Sequence, residues 1–199
     1  MKLLSIFAAG LILTMGFSSA PAQAAPSIRA FELGDTRASW ITQDGQMVLS
    51  LNSPTSPTSS NECGTQTEGY VWASEAGAVI AHDFEFDMLG DSVVVVIEGR
   101  YDGQSGKRVL IDLTVKTAGP GWRHVTLNPR DFRGPDFEFG HNSPDTYATK
   151  ITIVNKGNNM LKGFRLEETP FNVITETSHL DPFREYFSHA DANAGTKTF

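Results

Sequence analysis

Between residues 79 and 127 several short runs alternate apolar and polar side chains with a period of two, and no helix-period segment lies between them. Successive side chains of a strand point to opposite sides, so each such run has two distinct faces. Ile80, Phe84, Phe86 and Met88 share one parity, and Asp83, Glu85 and Asp87 share the other. Val109, Ile111, Leu113 and Val115 are opposed by Arg108, Asp112 and Thr114, and Val125 and Leu127 are opposed by Trp122, His124 and Thr126. Residues 93–97, VVVVI, are apolar at every position, the pattern of a central strand covered on both sides.

Further short β-prone runs lie at 28–33, 46–52, 70–73, 150–154 and 162–167. Turn signals punctuate the series at Asp44-Gly45, Leu89-Gly90-Asp91, 102–106 and 118–121. Many short strands at this spacing predict an all-β antiparallel sandwich over residues 25–170. Residues 53–69 hold no large apolar side chain and are rich in Ser, Thr and Pro, so they read as a loop with Cys63 inside it. Residues 171–199 read as a tail. Asp181-Pro182 predicts the start of a short C-terminal helix with Phe183, Tyr186, Phe187 and Ala190 as its docking stripe, and residues 192–199 are expected to fray.

Residues 1–24 have the form of an export signal: Lys2, an apolar stretch from Leu3 to Phe17, and a small-x-small Ala22-Gln23-Ala24. The apolar stretch is short for a membrane span, so cleavage and a periplasmic or secreted product without a membrane span are expected. The chain has 23 acidic against 16 basic residues, a formal charge of −7. That balance argues against a nucleic-acid partner, because phosphate binding needs a positive surface. One cysteine excludes an intramolecular disulfide and any multi-cysteine metal centre. The five histidines show no H-E-x-x-H or close H-x-H spacing, which argues against zinc, and no G-x-S-x-G elbow is present.

Phe31-Glu32 with Trp40 downstream, the run from His82 to Phe132, and the late KITIVNKGNNMLKGFRLE together resemble the galactose-binding-domain-like jelly rolls, which include many carbohydrate-binding modules. The segment Gly121-Trp122-Arg123-His124-Val125-Thr126-Leu127 followed by Asp131-Phe132 is similar to that family's W-x-x-V-x-[LI]-x-x-x-D-F turn. The resemblance implies a jelly-roll topology, a glycan site on a concave sheet face or at a loop end, and often a structural calcium ion. Glu32 matches the early acidic calcium ligand, and Glu167 or Glu168 lies near the acidic position of the last strand. That strand reads GFRLE where the family often has IDNI, so the expected Asp is missing. No other cofactor is implied.

If consecutive strands pair, Glu98, Arg100, Asp112, Thr114, Trp122, His124 and Thr126 share one polar sheet face. Sugars are held by planar polar groups that bond neighbouring hydroxyls, over an aromatic ring that meets the pyranose face. Arg100, Asp112, Trp122 and His124 supply those parts, with Tyr101 and Tyr147 as outlying candidates. The expected function is therefore non-catalytic binding of a polysaccharide or other glycan. A small lyase or glycosidase using His124 with Glu98, Asp112 or Arg100 is the alternative. A structural or adhesive protein with a partner in the cell envelope is a second one.

Overall fold

The alternating runs become strands of two stacked sheets in a computed structural model that describes residues 26–54, 61–68, 72–75, 78–80, 83–100, 108–128, 133–134, 137–138, 147–178 and 193–199. In chain order the strands are β1 (Ser27–Leu33), β2 (Arg37–Gln43), β3 (Gln46–Asn52), β4 (Glu62–Glu68), β5 (Trp72–Glu75) and β6 (Ala78–Ile80). They continue with β7 (Phe84–Leu89), β8 (Ser92–Arg100), β9 (Arg108–Lys116), β10 (Arg123–Leu127), β11 (Arg133–Gly134) and β12 (Phe137–Glu138). The last are β13 (Tyr147–Lys156), β14 (Asn158–Leu166), β15 (Thr169–Pro170), β16 (Asn172–Ser178) and β17 (Asn193–Thr198). No helix occurs among the described residues.

The larger sheet runs β16-β1-β4-β13-β8-β9-β17, and the smaller runs β10-β7-β14-β3-β2. The chain crosses repeatedly between them: β4 lies in the larger, β7 in the smaller, β8 and β9 in the larger, β10 in the smaller, β13 in the larger and β14 in the smaller. This wrapping gives an all-β jelly-roll sandwich. Pairing is antiparallel except at the two ends of the larger sheet, where β16 joins β1 and β17 joins β9 in parallel. Asp44 and Gly45 both have positive φ, 52° and 75°, the conformation that closes the two-residue β2–β3 hairpin with the twist its strands require.

Alternation set the core. Phe84, Phe86 and Met88 of β7 and Val125 and Leu127 of β10 turn inward and are fully buried against Val93, Val95 and Val115 of the facing sheet. Phe86 stacks on Phe164 with centroids 6.0 Å apart, and Phe84 meets Phe171 edge-on at 5.6 Å. Within the run VVVVI, Val93 and Val95 are buried on the inner face and Val96 on the outer, and Val94 is half-buried. Val96, with Phe31 and Val154, forms a second buried cluster on the outer side of the larger sheet.

Two expectations are corrected. Residues 62–68, read as part of a loop, form β4 in the interior of the larger sheet. Backbone ladders to β1 and β13 hold them, and their polar side chains add bonds of their own: Thr65 Oγ1 donates to Arg29 O at 3.0 Å, and Thr67 Oγ1 accepts from Ile151 N–H at 2.8 Å. Residues 193–198, expected to fray, form β17, and beyond them Phe199 N–H donates to Lys116 O at 3.0 Å. The helix expected at 181–190 lies outside the described residues.

Cys63 belongs to the buried core, with its Sγ donating to Asn52 O at 3.5 Å. Burial pushes its thiol above the ordinary range, because the thiolate loses its water. Thiol reagents are therefore expected to label the native protein at least about a hundredfold more slowly than the denatured chain, since labelling waits for an opening. Native stability should also fall as pH rises past the ordinary thiol range, where only the unfolded chain gives up the proton. Prompt labelling of native protein would place the thiol outside the core.

Candidate functional site

The strand pairing brings together groups that the sequence keeps apart. In the smaller sheet β10 pairs with β7 so that His124 stands opposite Asp87 and Thr126 opposite Glu85. On the other side of β7, Asp87 faces Lys162 and Glu85 faces Arg165 of β14. The inward turn of Phe84, Phe86, Met88, Val125 and Leu127 forces all of these partners outward. Register carries the central row onward from Lys162 to Val48 and Ile41, so one line crosses five strands. At ~4.8 Å per strand that line is about 19 Å long.

His124 Nδ1 lies 2.9 Å from Asp87 Oδ1, and its Nε2 lies 3.8 Å from Glu85 Oε1. A carboxylate only accepts, so Nδ1 carries the proton of this hydrogen bond. The His124 side chain is 55% exposed, open to solvent on this face. Trp122, half-buried at the entry to β10, holds the Lys162 ammonium 4.4 Å from its ring centroid. Lys162 therefore lies on the indole rather than on Asp87, its register partner. The turn before Trp122 is pinned by Arg123 Nε, which donates to Ala118 O at 2.8 Å. Beyond β10, Asn128 Nδ2 donates to Asp83 Oδ1 at 2.6 Å.

The expected constellation is not assembled on one surface. Trp122 and His124 lie on the smaller sheet, whereas Glu98, Arg100 and Asp112 lie on β8 and β9 of the larger. The cause is topological: after β9 the chain changes sheet at residues 117–122 instead of folding back as a hairpin. Tyr147 stands opposite Arg100 in the β13–β8 register, and Tyr101 lies outside the described residues. The carboxylates beside His124 are Glu85 and Asp87, not Glu98 and Asp112. Glu85 and Asp87 were visible as one polar parity, but their pairing with His124 was not. Lys162 gave no signal beyond its place in a late strand.

The outer face of the larger sheet is differently built. Asp112 takes the register position beside Val96, in a row with Thr152, Gln66 and Arg29. Gln66 Nε2 donates to Thr152 Oγ1 at 3.3 Å and both residues are buried, so these polar groups are already spent on each other.

The implied calcium ligands do not fit one ion. Ca²⁺ takes six to eight oxygens at about 2.3–2.6 Å. Glu32 Oε2 accepts from Ala38 N–H at 3.0 Å, and Glu32 pairs with Cys63, whose thiol reaches Asn52, the partner of Asn158 at the start of β14. Glu167 and Glu168 form the turn after Leu166, at the other end of that strand, where Glu167 N–H donates to Asp83 O at 2.7 Å. A nine-residue strand, roughly 25 Å, separates the two places. Among the described residues no three His, Cys, Asp or Glu side chains gather into a metal-holding group.

No protein-family model and no curated protein matches the chain. Among solved structures it is similar to the Clostridium thermocellum xylanase Xyn10B CBM22-1–GH10 modules complexed with xylohexaose (TM-score 0.41, 11% identity, 68% of this chain). The chain spans 25% of the length of that protein. It is similar also to the family 11 carbohydrate-binding module from Clostridium thermocellum in complex with a β-1,3-1,4-mixed-linked tetrasaccharide (TM-score 0.39, 14% identity, 78% of this chain and 94% of that one). A third is the CBM22-2 xylan-binding domain of Paenibacillus barcinonensis Xyn10C (TM-score 0.37, 7% identity, 69% of this chain and 89% of that one). All three contain carbohydrate-binding modules. The sandwich itself stands on the strand pairings described above.

Proposed function

We propose that the chain is an exported, non-catalytic carbohydrate-binding protein whose glycan lies on the outer face of the smaller sheet, against Trp122. The observation that carries this is the half-buried indole set among the outward-facing groups of His124, Asp87, Glu85 and Lys162. An aromatic ring supplies the apolar platform for a pyranose face. Carboxylates with free lone pairs and the imidazole Nε2 accept from neighbouring hydroxyls, and the ammonium donates. The leader of residues 1–24 supports export. Exposure of His124 supports binding without catalysis: an imidazole open to water lacks the enclosed, preorganised surroundings that stabilise a developing charge.

Trp122→Ala is expected to weaken binding by about 1–3 kcal/mol, the range of an aromatic anchor. The test is a titration against xylan, mixed-linkage glucan, cello-oligosaccharides and polygalacturonate, with polymer length followed by size-exclusion chromatography. Affinity unchanged by the substitution removes Trp122 from the site. One observation favours a second reading, a glycan-cleaving enzyme: the His124–Asp87 hydrogen bond leaves Nε2 as the basic nitrogen, with Glu85 3.8 Å away. Progressive shortening of one polymer, abolished by His124→Ala, would put that reading first.

A further inference from the structure

We propose that Lys162 makes the Trp122 site selective for acidic glycans, those carrying a carboxylate on the sugar ring. The inference rests on this face being the glycan site and adds the class of ligand. Lys162 forms no ion pair among the described residues, and its ammonium sits 4.4 Å from the centroid of the Trp122 ring. Its register partner Asp87 is engaged by His124 at 2.9 Å, so the carboxylate opposite does not claim it. Arg165, exposed on the same strand, places a second cation along the β14 side of the face. Across the face the two acidic side chains lie together on β7, with His124 between them. The site thus has a cationic side on β14 and an acidic side on β7, and the aromatic ring stands under the cation.

This arrangement treats acidic and neutral sugars differently. A neutral pyranose that stacks on the covered face of the indole must move the ammonium off the ring and forfeit the cation–π attraction. A uronate meets the same ammonium as a partner: its carboxylate forms a charge-assisted hydrogen bond where the neutral sugar meets an obstacle. Removal of the charge therefore acts in opposite directions on the two ligands. It weakens the acidic glycan and strengthens the neutral one. The acidic preference is electrostatic at a partly exposed position, so it shrinks as salt is added.

The experiment compares polygalacturonate with the same polymer fully methyl-esterified, titrated into the mature chain and its Lys162→Met and Lys162→Arg variants. The wild type is expected to prefer the acid form by about tenfold at low salt, the scale of one desolvated ion contact. Lys162→Met keeps the apolar stem and is expected to bring the two affinities together, whereas Lys162→Arg keeps the preference. Thermal melts confirm that both variants fold, and a purely structural role would not be rescued by arginine alone in this selectivity readout. Equal wild-type affinity for the two polymers overturns the proposal, as does a preference that survives Lys162→Met. Binding of neutral glycans through Trp122 with no response to the acid form defeats the selectivity and leaves the binding function standing. No binding to any glycan defeats both.

Discussion

Gly64→Ala is expected to cost about 3–5 kcal/mol of stability, at the upper end of what single substitutions do. Gly64 lies in β4 between β1 and β13, opposite Phe31 on one side and Val154 on the other. A Cβ placed there would be 1.8 Å from the carbonyl oxygen of Ile153 and 3.0 Å from Phe31 Cζ. Side chains can rotate away from such a contact, but a backbone carbonyl in a ladder cannot. Relief must come from parting β4 and β13, which breaks the pairing of Ile153 with Thr65, or from pushing Phe31 out of the second cluster. Both are costly in a close-packed interior. Gly45 provides the contrast. It has positive φ, 75°, but nothing lies within 4 Å of an added Cβ, so Gly45→Ala should cost only about 1–2 kcal/mol of left-handed strain. Urea denaturation of the two variants measures the difference, and near-wild-type stability for Gly64→Ala would mean that β13 lies farther from β4. Because β4 is in the sheet opposite Trp122, the fraction that stays folded should bind glycan with wild-type affinity.

The faces of the sandwich were legible in the sequence and the neighbours were not. Parity alone assigned Phe84, Phe86, Met88, Val125 and Leu127 to the core, and it put Glu85, Asp87, Trp122 and His124 outside. Parity is a local property, fixed by the period of the strand. Which outward side chains meet is set by strand order, and in a jelly roll that order is non-local: β10 follows β9 in the chain and pairs with β7. The assumption that consecutive strands pair holds for β8 with β9 and fails for β9 with β10, so His124 was joined to Asp112 when its partner is Asp87. The strand β4 was missed for a different reason. Its sequence ECGTQTE reads as solvated, yet in the sheet interior Thr65, Gln66 and Thr67 are buried and make hydrogen bonds that hydropathy does not register. At the other extreme β17 is a strand because β9 offers it a ladder, and its own residues NAGTKT carry little β preference.

The corner that holds β7 in place carries the other large expected effect. Asn159→Ala is expected to lower stability by about 2–4 kcal/mol, and Asn159→Asp, nearly identical in shape, should come close to it. Asn159 is buried, and its Nδ2 lies 2.9 Å from Ser92 O, 2.7 Å from Asn155 Oδ1 and 3.1 Å from Lys156 O. Asn155 Nδ2 in turn donates to Ser53 Oγ at 2.7 Å, and Ser53 N–H donates to Gly157 O at 2.9 Å. Two linked amides, Asn159 and Asn155, thus tie the start of β8, the β13–β14 turn and the chain leaving β3, across both sheets. Alanine takes the donor from the buried Asn155 Oδ1 and from the two part-buried carbonyls, and aspartate replaces it with another acceptor, so the loss comes from the hydrogen bonds rather than from volume. Gly90 belongs to the same corner. A Cβ there would lie 2.0 Å from Asn159 Oδ1 and 2.8 Å from Asn158 O, so only glycine lets the chain pass from β7 into β8 over this side chain. Chemical denaturation of the two Asn159 variants separates the terms. If aspartate restores wild-type stability while alanine does not, packing and not donation holds the corner. If both fall together, the donor holds it. The strand anchored there carries Glu85 and Asp87, so glycan affinity at Trp122 should follow the folded fraction in both variants, linking this buried amide to the open face it positions.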